Sequence, residues 1–309
     1  MATRLSVLLP VFNGMPFLPE AVESILRQTF AGFTLIIVND GSTDESGRYL
    51  GSLKDPRIVV INQANEGIGA SLNRGLQLCQ SEYVARMDAD DISLANRFKY
   101  QVEYLDAHPD VVMLGTQIEF LIGTVAQRAL RAPVDHEAIE ARLMKGRAGL
   151  CHPSLMFRTA VAKACGGYPS AALGEDFDFY LRMCDSGRTA NLDRVLLQYR
   201  LQTSQATMAK TEQVIRVNHY SAHLASCRRK GLPTPTLDEF LKSASLMSHT
   251  SWMLEAWELI QYRTARIQMA SGKPVLGALR MAFLGICHPI SAFRHVAHAI
   301  RLSLKSQSS

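Results

Sequence analysis

Paired cysteines are missing from this 309-residue sequence. Its six cysteines, Cys79, Cys151, Cys165, Cys184, Cys227 and Cys287, are scattered and form no C-x-x-C element. That pattern disfavours a zinc site or a disulfide framework and casts them as reduced, buried small hydrophobes. Zinc-finger spacing, an RNP-type aromatic motif and a helix-turn-helix pattern are all lacking, so a nucleic-acid partner is not expected. No basic segment followed by an apolar core stands near Met1: Leu5 to Val11 is too short for a signal peptide and is interrupted by Pro10. Cytoplasmic synthesis and retention are therefore expected. Long apolar runs are lacking too. Leu276 to Phe293 is the most apolar stretch, but Arg280, His288 and Pro289 interrupt it, short of the about 20 apolar residues that a spanning helix needs. A Gly-rich, cation-bearing N-terminal loop for a triphosphate is also absent, because Pro10-Val11-Phe12-Asn13-Gly14 holds neither Arg nor Lys. This argues against a nucleotidyltransferase.

What is present reads as a globular protein: 47% of residues are hydrophobic and 20% charged, enough for one large domain or one domain with an appendage. The net charge of +5 conceals an asymmetry. Residues 1–208 carry 20 Lys and Arg against 23 Asp and Glu, a balance of −3, whereas residues 209–309 carry 13 against 5, a balance of +8. A division into 1–208 and 209–309 is expected, with the basic part suited to an anionic membrane surface.

Leu5 to Val11 and Phe33 to Val38 are short apolar runs that read as buried parallel strands. Between them Leu18, Val22, Ile25 and Leu26 have helical spacing. The pattern continues with a strand at Arg57 to Asn62, a helix at Gly69 to Cys79 and a strand at Tyr83 to Met87. This β-α-β order predicts an open, mostly parallel α/β sheet flanked by helices. Arg97 to His108 reads as helix, Val111 to Ile122 as strand, and residues 149–167, with Gly149, Pro153, Gly166 and Gly167, as a loop region covering the rim. Thr211 to Lys230, Leu237 to Met269 and Val275 to Leu304 read as a helical C-terminal appendage. It would lie in a membrane interface, pack on the main domain, or join a second subunit in a homo-oligomer.

Met87-Asp88-Ala89-Asp90-Asp91 sets three carboxylates within four residues directly behind a strand. Such a strand end can aim two hard oxygen donors at one Mg²⁺ or Mn²⁺ with room left for phosphate oxygens. Asp is also a common turn residue, so this stretch alone leaves a turn and a metal site both open. In α/β sheets ligands collect beyond the carboxyl ends of strands. That would gather Pro10-Val11-Phe12-Asn13, Asn39-Asp40-Gly41 and Asp88-Ala89-Asp90 on one rim.

Taken in order, Val7 to Asn13, Val38 to Asp44, Asn65-Glu66-Gly67, Asn73, Met87 to Asp91 and Gly174-Glu175-Asp176-Phe177-Asp178 resemble the family 2 glycosyltransferases with the GT-A fold, over about residues 4–205. The resemblance implies an inverting, metal-dependent transferase acting in the assembly of cell-surface polysaccharide. Its donor would be a nucleotide-diphosphate sugar, UDP- or dTDP-type by the match of Asp40 to a residue that accepts from the base. Its acceptor would be a saccharide, and the basic tail adds a lipid-linked one at the inner face of the cell membrane. Pro10, Val11 and Asn13 would hold base and ribose, and Glu66 and Gly67 would form a nucleotide-contact loop. Asp88 would approach ribose or sugar and share the metal with Asp90, with Asp91 in support. Asp176 would be the general base, with Glu175 beside it. Arg86 would add charge beside the phosphates or pack along the strand edge, and His152 would donate to phosphate or sugar or cap its loop. Tyr199-Arg200 matches a basic position near the diphosphate, but Gln202 replaces the histidine of a Y-R-x-H pattern. Asp44 fits a turn cap. His219 and His223, four apart on a helix, have no carboxylate nearby in sequence, which argues against zinc. A GT-A-like protein that binds nucleotide sugars without transfer, its tail an interaction module, is the other reading.

Overall fold

The computed structural model describes residues 3–169, 174–201 and 210–287, the last three by backbone alone. Leu5–Val11 (β1), Phe33–Asp40 (β2), Ile58–Gln63 (β3) and Tyr83–Arg86 (β4) form parallel strands in the order β3-β2-β1-β4. Helices Leu18–Leu26 (α1), Ser46–Ser52 (α2) and Ile68–Leu78 (α3) make the crossovers. Every residue of β1 is buried, as a strand covered on both faces requires. The alternation of side chains splits the core into two layers. Leu8, Ile36 and Val38 pack with Leu72 and Leu76 of α3, while Val7, Leu9, Leu35 and Ile37 pack with Leu18, Val22 and Ile25 of α1. The strand order, β1 outward to β3 and then β4 on the other side of β1, reverses between the parallel strands β1 and β4, and in such sheets a ligand crevice forms at their carboxyl ends.

Beyond β4 the sheet is mixed. Met156–Arg158 (β8) runs antiparallel between β4 and Val111–Ile122 (β6), and β6 pairs in parallel with Arg188–Arg200 (β9). Ile92–Ser93 (β5) closes the edge against β9, and Val125–Arg128 (β7) forms a hairpin with β6. Arg97–Ala107 (α4), His136–Leu143 (α5), Thr159–Ala164 (α6) and Glu175–Ser186 (α7) complete this half. The expected loop over 149–167 is corrected: it contains β8, in mid-sheet, and α6. Three consecutive buried residues, Leu155, Met156 and Phe157, suffice for a strand when β4 and β6 supply partners on both sides, a reward invisible in local sequence.

The C-terminal part is helical, in Thr211–Lys230 (α8), Leu237–Ser243 (α9), Leu246–Ala270 (α10) and Pro274–Cys287 (α11). The single helix expected over Leu237 to Met269 is two, because Ala244 is extended and Ser245 caps α10 by accepting from Ser248 N. The portion of the last expected helix beyond 287 lies outside the described residues. Helix α8 is tied to α7 and α5 by ion pairs, Arg228 with Asp178 at 3.1 Å and Arg229 with Asp185 and Glu140 at 2.7 Å each. Helix α10 reaches the β6–β7 hairpin, where the Arg266 guanidinium donates to the Arg128 carbonyl and faces the Phe120 ring. Helices α8 and α10 thus make contact with the sheet domain.

Candidate active site

The loops after β1, β2 and β4 meet at one rim, and the first two are riveted together. Asn13, at φ 51°, accepts from Thr43 N at 2.8 Å, and its own N–H donates to Ser42 Oγ at 3.1 Å. Asp44 accepts from Ser46 N and from Met15 N at 2.9 and 3.0 Å, the cap role expected of it. The side chains of Pro10 and Val11 are buried, so these residues frame the rim with backbone. Phe12 beside them projects outward, 53% exposed.

Asp40 is buried and faces inward to the third loop. Its Oδ1 accepts from Gln63 Nε2 at 2.7 Å and Glu66 N at 2.9 Å, and its Oδ2 accepts from Gly67 N at 2.9 Å. A carboxylate offers about four acceptor sites, so Asp40 organises the Glu66–Gly67 turn and keeps capacity on Oδ2. Gly41, at φ +70°, makes this possible: a Cβ there would lie 2.7 Å from Asn65 N. Glu66 itself is exposed.

At the end of β4 the carboxylates of Asp88, Asp90 and Asp91 each offer an oxygen, all within 4.8 Å of one another. Asp91, expected as a support, is drawn into this cluster. It is buried, its Oδ1 accepting from Arg200 N at 2.8 Å, while its Oδ2 has no hydrogen-bond partner among the described residues. Burial, then the charges of Asp88 and Asp90, hold its carboxyl well above the usual range. Three carboxylates, one of them with a buried orphan oxygen, fit a divalent cation such as Mg²⁺ or Mn²⁺.

Two arginines hold this turn. Arg86 is buried with Nη1 2.5 Å from Asp88 Oδ2, and its Nε has no hydrogen-bond partner among the described residues. It lies in the core beneath the site, on a strand between β1 and β8. Arg200 Nε donates to the Asp90 carbonyl at 2.7 Å, Nη2 pairs with Glu20 of α1 at 2.5 Å, and the guanidinium lies 4.3 Å from the Phe17 ring centroid. Its partners are thus protein groups that tie α1 to the acidic turn. Removing a charged donor from a buried carbonyl costs about 2 kcal/mol. Arg200→Ala is therefore expected to lower the melting temperature by several degrees and to weaken Mn²⁺ binding; unchanged calorimetry on both counts would remove Arg200 from this role. Gln202 lies outside the described residues.

Within reach of the Arg86 and Asp88 charges, α7 opens at Glu175, following Gly174 at φ +71°, whose missing Cβ leaves room for Val217 of α8. Glu175 is buried, and burial followed by the adjacent Asp176 charge pushes it up to about 7. Asp176 is half-buried and also raised by burial, against which Tyr180 Oη donates to its Oδ2 at 3.0 Å. His152 is buried beneath, its Nε2 3.1 Å from Tyr168 Oη and its ring edge-on to Tyr180. Burial and the nearby Arg86 charge hold the imidazole well below its usual range, so it is neutral. Arg86, His152, Tyr168 and Tyr180 thus form one buried layer beneath the two carboxylate groups, with Arg86 paired to Asp88 and Tyr180 bonded to Asp176.

Tyr168 and Tyr180 carried no signal in the sequence. Asn73 explains the position of the first: its side chain both donates to the Tyr168 carbonyl and accepts from the Tyr168 N–H, each at 2.8 Å. His219 does have a carboxylate neighbour, Glu255 at 3.4 Å, and His223 Nε2 is 3.5 Å from Cys227 Sγ. Among the described residues, however, the aspartate cluster is the one group of three or more potential metal ligands.

Residues 6–166 match the family described as Glycosyl transferase family 2. The amylovoran biosynthesis glycosyltransferase AmsE of Erwinia amylovora is 32% identical over 203 residues, 63% of this chain and 75% of that protein. The UDP-Gal:alpha-D-GlcNAc-diphosphoundecaprenol beta-1,3-galactosyltransferase of Escherichia coli is 29% identical over 214 residues, 66% of this chain and 76% of that protein. Among solved structures, S. aureus TarS 1–349 in complex with UDP-GlcNAc aligns with a TM-score of 0.57 at 17% identity, over 97% of this chain and 92% of that one. The mannosyltransferase PcManGT from Pyrobaculum calidifontis, in complex with GDP-Man and Mn²⁺, aligns with a TM-score of 0.55 at 18% identity, over 98% and 81%. These likenesses identify the fold as GT-A.

Proposed function

The chain belongs to glycosyl transferase family 2 and is a glycosyltransferase, and from that premise we propose an inverting, divalent-metal-dependent transfer of a sugar from a nucleotide diphosphate to a lipid-linked saccharide. Polysaccharide or O-antigen assembly is the setting that its relatives support. The observation that carries the mechanism is that two carboxylate groups lie around one buried arginine: Asp88, Asp90 and Asp91 after β4, with Asp88 paired to Arg86, and Glu175 with Asp176 at the start of α7, both within reach of the Arg86 charge.

In this reading Phe12 offers an exposed ring to the base, and Asn13 fixes the loop behind it. Asp40 shapes the Glu66–Gly67 turn and turns its spare Oδ2 capacity to an N–H of a uracil or thymine ring. Asp90 and Asp88 would hold Mn²⁺ or Mg²⁺, with Asp91 closing the set; the ion would supply the positive charge that neutralises a departing diphosphate. Arg86 adds fixed charge from below. On the other side the Asp176 carboxylate takes the proton from the acceptor hydroxyl, whose oxygen attacks the anomeric carbon opposite the diphosphate; the glycosidic bond to phosphate breaks, and configuration inverts. His152, being neutral, fits a positioning role through Tyr168 and Tyr180 better than donation of charge. Residues 1–208 carry this machinery, α8 buttresses α7, and the part 209–309 serves the acceptor's membrane.

A uridine donor is supported by the names of the galactosyltransferase relative and the TarS neighbour, a guanosine donor by the other neighbour. Thermal shift decides between them. A ligand at a hundred times its Kd stabilises by about 2.7 kcal/mol, so UDP or dTDP with Mn²⁺ is expected to raise the melting temperature by several degrees and GDP not to. A larger shift with GDP would overturn the base assignment.

A further inference from the structure

Helix α11 is packed on α10 by one side and offers the other to solvent. Gly277 fits against the Ala265 carbonyl and Met269, and Phe283 meets Trp257 edge-on at 6.3 Å. On the outer arc from 275 to 284 the exposed residues are Val275, Leu276, Ala278, Leu279, Ala282 and Phe283, every one apolar. Val275 and Leu279 are 73% and 62% exposed and Phe283 is 54% exposed. An amphipathic surface helix of a globular protein normally turns polar residues outward; here the polarity is inverted. Arg280 sits at the margin of the arc, its Nη1 donating to Gln261 Oε1 at 2.9 Å, and Lys273 precedes the helix.

The sequence from 259 to 309 is charged with one sign: its 51 residues hold no Asp or Glu and seven Lys or Arg, although Glu258 stands beside Trp257. An all-apolar arc bordered by Lys273 and Arg280 matches the acyl boundary and headgroups of an anionic bilayer. Among the described residues no helix is long and apolar enough to cross a membrane. An apolar outer arc on a helix whose other side is packed on α10 suits a helix lying in the interface. Trp257, half-buried at the edge of the same arc, is a residue type that favours the headgroup level.

We propose that the outer face of α11, bordered by Trp257, Lys273 and Arg280, is a docking surface for an anionic phospholipid bilayer. This deepens, and rests on, the reading that 209–309 serve the acceptor's membrane, while donor binding is read separately in the test. The test is flotation of the full-length protein with vesicles of phosphatidylglycerol and phosphatidylcholine, against phosphatidylcholine alone. Wild type is expected to float with the anionic vesicles only and to be released by high salt. Leu279→Asp with Phe283→Asp is expected to lose at least about tenfold in partitioning, since a charge on the buried face opposes insertion, while its melting temperature and UDP binding stay as in wild type. If that pair melts early, wild type decides: brominated phosphatidylglycerol is expected to quench Trp257 emission, and Trp257→Phe to abolish the quenching. Wild type that remains unfloated, a variant that floats equally well, or unquenched Trp257 overturns the proposal. So does a dimer in solution that the variant dissociates without any vesicle binding, which would make the face an interface between two copies of the chain.

Discussion

Asp176→Asn is expected to lower turnover by at least about a hundredfold, the lower range for a positioned acid–base group, while leaving binding of the nucleotide sugar nearly unchanged. The change is isosteric and keeps the contact with Tyr180 Oη, so it removes proton acceptance and little else. Donor affinity measured by calorimetry beside turnover separates the two effects; near-normal turnover would transfer the base role to Glu175. The pH profile supplies a second reading. Burial raises both carboxyls, Glu175 to about 7, so they titrate as a coupled pair with macroscopic values. The acidic limb of kcat/KM is therefore expected well above the ordinary carboxylate range, with activity rising as pH increases through about 7. Glu175→Gln removes one negative charge beside Asp176 and is expected to move that limb to lower pH, with activity retained. Stability has the opposite sign. A carboxyl whose folded pKa is raised contributes stability that is present below its unfolded pKa and lost as pH rises through the folded one. The wild type should thus lose stability between about pH 4.5 and 7, and Glu175→Gln should lose less.

Asp90→Ala is expected to weaken metal-dependent binding of the nucleoside diphosphate by about a hundredfold or more, since even partners that only orient metal ligands are worth roughly 10–100-fold. Titration of the nucleotide with and without Mn²⁺ measures this, and equal affinity in the two conditions for wild type would overturn the ligand assignment. Asp91 adds an observable that needs no nucleotide. Its carboxyl is raised by burial and by Asp88 and Asp90, so in the metal-free protein it loses stability as pH rises through its folded pKa. A divalent cation relieves that cost and competes with protons for the same oxygens. Mn²⁺ alone should therefore raise the melting temperature more at pH 8 than at pH 6, and less in Asp90→Ala at either pH.

Much of the donor half was legible in the chain. The four strands from Leu5 to Arg86 and helices α1 and α3 fall within a few residues of their expected bounds, because fully buried parallel strands are apolar throughout and these crossovers are amphipathic; the short α2 at Ser46–Ser52 was not expected. The acceptor half was legible only as motifs. Glu175-Asp176 stood out as acidic residues opening a helix, but β8, β9 and the tyrosines under the site did not: Arg188 to Arg200 has five charged or polar side chains turned outward or half-outward along a twisted strand, and its pairing comes from β6, more than sixty residues earlier.

The sequence by itself determined the family, the α/β order of the first half and the identities of the carboxylates, because these depend on local period and on residue types at fixed spacing. Tertiary structure alone decided what each carboxylate touches. Asp40 and Asp90 look alike as residues after a strand, yet one is turned to the Glu66 and Gly67 amides and the other to a cluster of oxygens. Asp91 became a member of that cluster, and Arg200 a clamp on it, only because β9 lies against β5 and delivers its last residue to the acidic turn. Contacts between residues about 110 positions apart are set by sheet register and burial, and neither is written in the neighbours of either residue.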